Sequence, residues 1–206
     1  MYALRSARSL QSDRSPDGTY FDVHFKRRAY KVLPGEYVAT RDDLMLVTVL
    51  GSCVAACIRD PLVGVGGMNH FMLPEVEFGS TASPSARYGS YAMETLINGL
   101  LKSGARRERL EAKVFGGGAV LRGFTAINVG QKNADFVLDY LGTEKVRIVA
   151  QDLCGTAPRR VHYLPQSGQA FVKALPVTPD AEVANAEKIY LRKLREEPAA
   201  GSVELF

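Results

Sequence analysis

The chain has 206 residues, 46% of them hydrophobic, and a formal net charge of +4. This length and composition suit one globular domain with a sizeable core. No apolar run approaches the length of roughly 20 residues that a membrane-spanning helix needs, and the N-terminus lacks a signal-peptide core, so we expect neither membrane insertion nor secretion. The three cysteines do not have the spacing of a disulfide framework, which favours a reducing compartment. The cytoplasm is therefore the expected location.

The positive charge is concentrated near the N-terminus. Residues 1–41 contain eight of the 26 Lys and Arg residues but four of the 22 Asp and Glu residues, so the other 165 residues are neutral. A nucleic-acid-binding domain carries its basic excess on the folded part. We therefore expect no nucleic-acid partner.

The first elements are short and partly polar. Residues 1–28 are predicted to be a disordered basic tail, because their first part is rich in Ser, Arg and Asp without a hydrophobic period. The folded domain is predicted over residues 29–177. It begins with extended segments around 30–33 and 36–38, separated by a Pro34-Gly35 turn, and continues with a buried strand over 44–50.

The next segment, LGSCVAACIRDPLVGVGGMNHFMLP, predicts a β-hairpin. Two apolar runs, 53–58 and 65–73, flank a turn that contains Asp-Pro and Gly. If the turn centres between Leu62 and Val63, Cys53 lies opposite Met72 and His70 lies opposite Ala55. Cys53 and His70 are then diagonal neighbours on one face, with roughly 7–8 Å between their backbones. A register slip of one residue would separate them.

Further elements follow from hydrophobic periodicity and turn residues. They are a polar loop over 75–86, helices over 86–102 and 129–141, strands over 110–115 and 146–150, and a hairpin of strands 160–163 and 170–175. Residues 178–206 are predicted to form a C-terminal extension with a charged amphipathic helix over 181–196, whose apolar positions are Val183, Ala186, Ile189, Tyr190 and Leu194. The expected fold is a single layered α/β domain with a mixed or antiparallel sheet and flanking helices.

A cysteine beside a histidine is the minimum set for thiol acyl transfer, because the imidazole takes the thiol proton and the thiolate attacks a carbonyl carbon. Gly51 and Ser52 directly before Cys53 would let a substrate backbone approach closely. The plainer interpretation is that Cys53 and His70 are ordinary core residues, as we expect for Cys57. A metal site is the competing interpretation, but Cys53 and Cys57 on one strand stand roughly 13 Å apart, too far to share a zinc ion.

Two other groups carry weaker signals. The Gly116-Gly117-Gly118 run follows a strand but lacks the Lys-Ser/Thr of a P-loop, so a structural turn or a wall along the substrate is favoured over a phosphate cradle. The group of Asn128, Gln131 and Asn133 near a helix start suits capping or, alternatively, polar contact to a substrate.

Taken together, these strings resemble the bacterial chemoreceptor glutamine deamidases of the CheD family, over roughly residues 35–176. The matching strings are Leu50-Gly51-Ser52-Cys53-Val54, Gly66-Gly67-Met68-Asn69-His70-Phe71-Met72-Leu73-Pro74, Arg87-Tyr88-Gly89, Phe115-Gly116-Gly117-Gly118, Asn128-Val129-Gly130 with Asn133, and Ala150-Gln151-Asp152-Leu153. The Gly-Ser-Cys and His strings at their separation of 17 residues are the most specific part.

The resemblance implies a hydrolase that converts glutamine side chains of methyl-accepting chemotaxis receptors to glutamate through a thioester. Cys53 matches the nucleophile, His70 the general base and Thr48 the third member. We add Gly51, Ser52 and Asn69 as candidate substrate or oxyanion residues. The chemistry needs no metal or organic cofactor, and it would also cleave a glutamate methyl ester.

The expected partners are the cytoplasmic helical region of the receptors and, as in some members of the family, a phosphatase of the CheC type. The alternative function is a non-catalytic adaptor that binds receptors or such a phosphatase. The intact set of Cys53, His70 and Thr48 counts against it.

Overall fold

The computed structural model describes residues 17–73, 84–120 and 129–176, together with residues 185, 187, 189, 190 and 192. Within them, ten strands and two helices follow one another along the chain. The strands are β1 Thr19–Asp22, β2 Arg27–Lys31, β3 Tyr37–Thr40, β4 Met45–Leu50, β5 Val54–Asp60, β6 Val65–Asn69, β7 Glu111–Gly116, β8 Arg147–Leu153, β9 Arg159–Leu164 and β10 Gln169–Ala174. The helices are α1 Pro84–Lys102 and α2 Val129–Thr143, with a 3₁₀ turn at Arg107–Arg109 before β7.

The strands form two five-stranded mixed sheets. The first sheet has the order β1-β2-β4-β9-β10, and the second has the order β3-β6-β5-β7-β8. Two neighbouring pairs, β2–β4 and β7–β8, are parallel, and the others are antiparallel. The predicted fold class, a layered α/β domain with a mixed sheet and flanking helices, is confirmed, although one predicted sheet is in fact two.

The layers are helices, second sheet and first sheet. Side chains alternate along each strand, so β5 presents Val54, Ala56 and Ile58 to the helices and Ala55 and Cys57 to the first sheet. Cys53, directly before β5, faces the first sheet as well. Both helices cover the outer face of the second sheet with their apolar stripes, as their periodicity predicted. From β4, Leu46 and Leu50 point into the space between the sheets. Thr48 shares their parity and is fully buried.

The β5–β6 hairpin has the predicted register. Cys57 pairs with Met68, Asp60 pairs with Val65, and an isolated bridge joins Val54 to Phe71. This register continues to place Ala55 opposite His70. The turn is therefore centred between Leu62 and Val63, and Cys53 and His70 share the face that lies between the two sheets.

The N-terminal part differs from the expectation of a disordered tail over residues 1–28. Strand β1 lies within that range, and β2 begins there at Arg27. Both are short, carry exposed positions and lie at one edge of the first sheet, so their sequences show little of the apolar alternation by which strands are recognised. Residues 1–16 lie outside the described residues.

Two other predictions fall largely on undescribed residues. Of the predicted loop over 75–86, residues 84–86 belong to α1 and the rest lie outside the described residues. In the predicted helix over 181–196, the five described residues are helical. Across the part of the chain that the structure describes, no helix is long and apolar enough to cross a membrane.

Candidate functional site

Cys53 lies where the chain passes from the first sheet to the second. Strand β4 ends at Leu50, the residues 51–53 make the turn, and β5 starts at Val54. The Cys53 side chain is fully buried between the sheets. The turn thus presents three successive backbone N–H groups beside the thiol.

The glycine run 116–118 is hydrogen-bonded to this turn. Gly117 donates its N–H to the carbonyl of Cys53 and Gly118 donates to the carbonyl of Gly51, both at 2.7 Å. Gly116 has φ +110°, and a Cβ there would lie 2.1 Å from the Cys53 carbonyl oxygen. The run is therefore a structural turn against which the cysteine turn is built, the interpretation that the sequence favoured.

Asn133 of α2 ties the same turn to the end of the hairpin. Its fully buried amide donates to the Ser52 carbonyl and accepts from the Leu73 N–H, both at 2.8 Å. The sequence indicated helix capping or substrate contact as roles for Asn133, and neither role describes these bonds. Asn133 positions the turn that carries Cys53.

His70 is held by Thr48. The Thr48 hydroxyl donates to the Val32 carbonyl at 2.8 Å and lies 2.8 Å from Nδ1 of His70. A hydroxyl has one proton, so a hydroxyl that donates to Val32 accepts from Nδ1–H. This network leaves Nε2 of His70 without a proton, and that buried atom has no hydrogen-bond partner in the described structure.

Cys53 and His70 are both uncharged at neutral pH in this arrangement. Burial raises the pKa of the Cys53 thiol well above its usual value, and the nearby Glu187 carboxylate raises it further. Burial lowers the pKa of His70 to about 4, and Glu187 partly opposes this shift. A neutral imidazole with a free Nε2 is the form that can accept a proton from the thiol.

Glu187 fills the space beside Cys53. Its Oε1 accepts the N–H groups of Gly51 at 2.9 Å and Cys53 at 3.0 Å. Its Oε2 accepts the Ser52 N–H at 3.0 Å and the Ser52 hydroxyl at 2.7 Å. Glu187 is 2% exposed. The turn 51–53 is therefore an anion-binding nest that holds a carboxylate.

A pair of tyrosines lies beside this nest. The hydroxyls of Tyr88 on α1 and Tyr190 are hydrogen-bonded to each other. Tyr190 also lies against Gly35, where a Cβ would approach the Tyr190 hydroxyl to 2.9 Å. Burial raises the pKa of both tyrosines, and the charge of a Cys53 thiolate would raise it further.

The structure thus brings together five of the six predicted site residues: Thr48, Gly51, Ser52, Cys53 and His70. The sixth, Asn69, faces the helices; its amide accepts from the Ala56 N–H and donates to the Ala92 carbonyl. Cys57 is buried in the core on the Cys53 face of β5. Among the described residues, no group of three or more His, Cys, Asp or Glu side chains could hold a metal ion.

Sequence reasoning missed Glu187 and the two tyrosines as site residues. Glu187 lies 134 residues after Cys53 in a charged segment, where a glutamate is expected to face solvent. Tyr190 was predicted as an apolar inward position and does face the body, whereas Ile189, predicted likewise, is 71% exposed. No local pattern distinguishes a buried carboxylate from an exposed one in such a segment.

Comparison with known proteins identifies relatives over most of the chain. The family model described as CheD chemotactic sensory transduction matches residues 72–174. A protein of Herminiimonas arsenicoxydans named "Probable chemoreceptor glutamine deamidase CheD" is 57% identical over 189 residues, which cover 91% of this chain and 93% of that protein. Proteins with the same name from Methylobacillus flagellatus and a Janthinobacterium species are 55% and 54% identical, covering 91% and 96% of this chain and 94% and 98% of their own length.

One solved structure also shows a likeness. It is that of the Bacillus licheniformis hypothetical protein YfiH, which is 12% identical and covers 58% of this chain and 51% of its own, with a TM-score of 0.37. A likeness at this level carries no argument about this chain.

Proposed function

This chain belongs to the CheD family, and from that membership and the site geometry we infer that it is a chemoreceptor glutamine deamidase, a hydrolase that converts receptor glutamine side chains to glutamate. We further propose that the reaction proceeds through a thioester on Cys53. The observation that carries this proposal is the turn 51–53, which gathers three N–H donors beside a buried thiol on the face of the hairpin that His70 shares.

In the first step, Nε2 of His70 takes the proton from the Cys53 thiol. The thiolate attacks the amide carbon of the glutamine, and the carbonyl oxygen becomes an oxyanion. The site that Oε1 of Glu187 occupies, between the N–H groups of Gly51 and Cys53, supports the placement of this oxygen there. Each such donor contributes on the order of 10²–10³ in rate.

The amide nitrogen then falls on the Oε2 side, next to the Ser52 hydroxyl, which can accept an N–H. On this side the NH₂ group meets one backbone donor, the Ser52 N–H, whereas in the reverse orientation it would meet two, the N–H groups of Gly51 and Cys53. This difference favours one orientation of the substrate amide.

In the second step, the C–N bond breaks and the imidazolium of His70 gives its proton to the leaving ammonia. A water molecule then loses a proton to the same imidazole and attacks the thioester carbon. The C–S bond breaks, the imidazolium returns its proton to the Cys53 sulfur, and the product leaves as a carboxylic acid that gives its proton to solvent. General acid–base catalysis of this kind contributes on the order of 10²–10⁴ in rate.

The same acyl transfer applies to a glutamate methyl ester, from which it would release methanol. The donors of the turn contact the acyl oxygen, which an amide and an ester share, and this supports methylesterase activity as a second reaction of the site. Methanol release from methylated receptor, absent with Cys53→Ala, is the expected measurement.

We place the reaction in the cytoplasm, at the helical cytoplasmic region of the receptors. A phosphatase of the CheC type is a further partner that we propose on the resemblance alone. The adaptor function is disfavoured because the thiol, the imidazole and the hydroxyl are all present and arranged for chemistry.

Mass spectrometry of receptor fragments tests the proposed mechanism. The wild-type protein is expected to convert specific glutamines to glutamates, and Cys53→Ala is expected to convert none. The matched control is Cys57→Ala, since Cys57 is a buried cysteine in β5 that faces the same side as Cys53 and is expected to be dispensable. Equal conversion by Cys53→Ala and wild type would refute the thioester, and absence of conversion by the wild type would refute the function itself.

A further inference from the structure

Glu187 has the chemical structure of the reaction product. Deamidation turns a glutamine side chain into a glutamate side chain, and a glutamate side chain lies in the nest beside the nucleophile. Its four hydrogen bonds, to the N–H groups of Gly51, Ser52 and Cys53 and to the Ser52 hydroxyl, are 2.7–3.0 Å long. Three of these groups, the N–H groups of Gly51 and Cys53 and the Ser52 hydroxyl, are those that the proposed mechanism assigns to the substrate amide.

The backbone around Glu187 also has the form expected of the substrate. The described residues of this segment, Asn185, Glu187, Ile189, Tyr190 and Arg192, are helical, as is the receptor region that we propose as the substrate. Asn185, Ile189 and Arg192 are exposed, whereas Glu187 is buried and Tyr190 is half-buried. One face of the segment therefore contacts the body through positions i and i+3.

The contacts of Tyr190 give the segment its orientation. Tyr190 packs against Gly35 and hydrogen-bonds to Tyr88, one turn of helix away from the carboxylate. Gly51 is tightly covered as well, since a Cβ there would lie 2.8 Å from a Glu187 oxygen. No second carboxylate or amide can share this nest while Glu187 occupies it.

We propose that the segment around Glu187 is an intramolecular product mimic that occupies the substrate site. A receptor helix must displace it, placing its glutamine where Glu187 lies and the residue three positions later against Tyr88 and Gly35. The displacement also removes a carboxylate from the neighbourhood of the Cys53 thiol. The inference rests on the proposed deamidation, whose substrate it describes.

Conversion of the segment itself is the sharpest test. Glu187→Gln places an amide against the nucleophile in an otherwise unchanged shape, so the purified variant is expected to deamidate itself and return to the wild-type sequence. Peptide mass spectrometry follows residue 187, and Gln166 and Gln169, which are exposed elsewhere on the same chain, are expected to stay amides. The double variant of Glu187→Gln with Cys53→Ala is expected to retain the introduced amide.

The two proposals fail in different ways. If the amide introduced by Glu187→Gln persists while the wild-type protein converts receptor glutamines, the product mimic is wrong and the deamidase stands. If the wild-type protein converts no receptor glutamine, the function itself is wrong. Conversion of the introduced amide in the Cys53→Ala background would show that the site did not perform the reaction, and would overturn the mimic.

Release of the segment is the second measurement. Glu187→Ala is expected to lower KM for the receptor at least about fivefold with kcat little changed, the smallest effect typical of a coupling between two ligands. It is also expected to speed alkylation of Cys53, identified by peptide mapping. Ile189→Ala, which changes an exposed position of the same segment, is the matched control. If Glu187 only anchors the extension, Glu187→Ala lowers stability while KM and Cys53 labelling stay as in the wild type.

Discussion

The Cys53 thiol and the His70 imidazole are both buried and uncharged while Glu187 occupies the nest. Two opposing needs explain this arrangement. The nest must attract a developing oxyanion, yet the same donors attract any carboxylate within reach. A carboxylate supplied by the chain itself satisfies the donors and keeps the thiol protonated until a substrate replaces it.

Thr48 acts on the reaction through His70, because its hydroxyl selects the tautomer whose Nε2 is free. Thr48→Val keeps the shape but leaves the Val32 carbonyl and Nδ1 of His70 without their partner. We expect kcat to fall at least about tenfold, since general-base catalysis contributes on the order of 10²–10⁴. Thr48→Ser keeps the hydroxyl and is expected to retain most activity. Receptor deamidation rates measure both, and equal rates for Thr48→Val and wild type would contradict the role.

At this scale the sequence predicted the residues that share a local pattern. Cys53 and His70 belong to one hairpin, so strand alternation and the turn fixed their common face. Thr48 came only from the resemblance, because the other strand of the site lies in another sheet. Glu187 was not predictable, since a contact across 134 residues leaves no periodicity in either segment.

Three elements converge on the turn that carries Cys53. Gly117 and Gly118 donate their N–H groups to two carbonyls of the turn, and Asn133 of α2 donates to a third, that of Ser52. Strand β5 continues from the turn into the core. The backbone donors and the nucleophilic side chain all belong to residues 51–53, so a small displacement of this turn disturbs the whole nest. The supporting elements therefore set the geometry of catalysis without touching the substrate.

Glycine substitutions test this support. Gly116→Ala is expected to destabilise the protein strongly, because residue 116 has φ +110° and the new Cβ would collide with the Cys53 carbonyl oxygen. Gly142→Ala, in α2 with no atom near the new Cβ, is expected to leave stability unchanged or raise it by about 0.4–1 kcal/mol. Denaturant unfolding of both variants measures the effects. Equal stability of the two variants would contradict the role of Gly116.

Element prediction succeeded where one apolar period was long enough to read. Helix α1 was predicted over 86–102 and is found at Pro84–Lys102, because an apolar residue every four positions is typical of a helix packed on one side. Strand β1 was missed, since its four residues lie at a sheet edge, depend on pairing with β2 and include only one buried residue, the polar Thr19. The division into two sheets depends on long-range pairings such as β2 with β4, which no local pattern encodes.

For the whole molecule, the hairpin that carries His70 must stay fixed to the helical layer. Asp60, at the end of β5, makes this connection and is fully buried. It accepts the N–H of Arg106 at 2.9 Å and binds the Arg109 guanidinium at 2.5 Å, both from the segment between α1 and β7. One carboxylate therefore joins the hairpin turn to the connection between two layers.

The pH dependence of stability follows from this carboxylate. Burial alone would raise the pKa of Asp60, but the hydrogen bonds from Arg109, Arg106 and Leu62 outweigh it and lower the pKa to about 2. Because the folded-state pKa lies below the unfolded value of about 3.9, the contribution is complete above about pH 5 and is lost as the pH falls towards 2.

Asp60→Asn is expected to lower the free energy of unfolding at pH 7, since it leaves the Arg109 guanidinium without its carboxylate partner. It is also expected to show a smaller further loss between about pH 5 and pH 2 than the wild type, because the group that titrates there is gone. Denaturant unfolding across this pH range measures both effects. Asp139→Asn, which changes an exposed carboxylate on α2, is the matched control and is expected to follow the wild-type curve. A wild-type pH dependence in Asp60→Asn would assign the acid sensitivity to other carboxylates, and the hairpin would then be fixed to the helical layer by its apolar contacts alone.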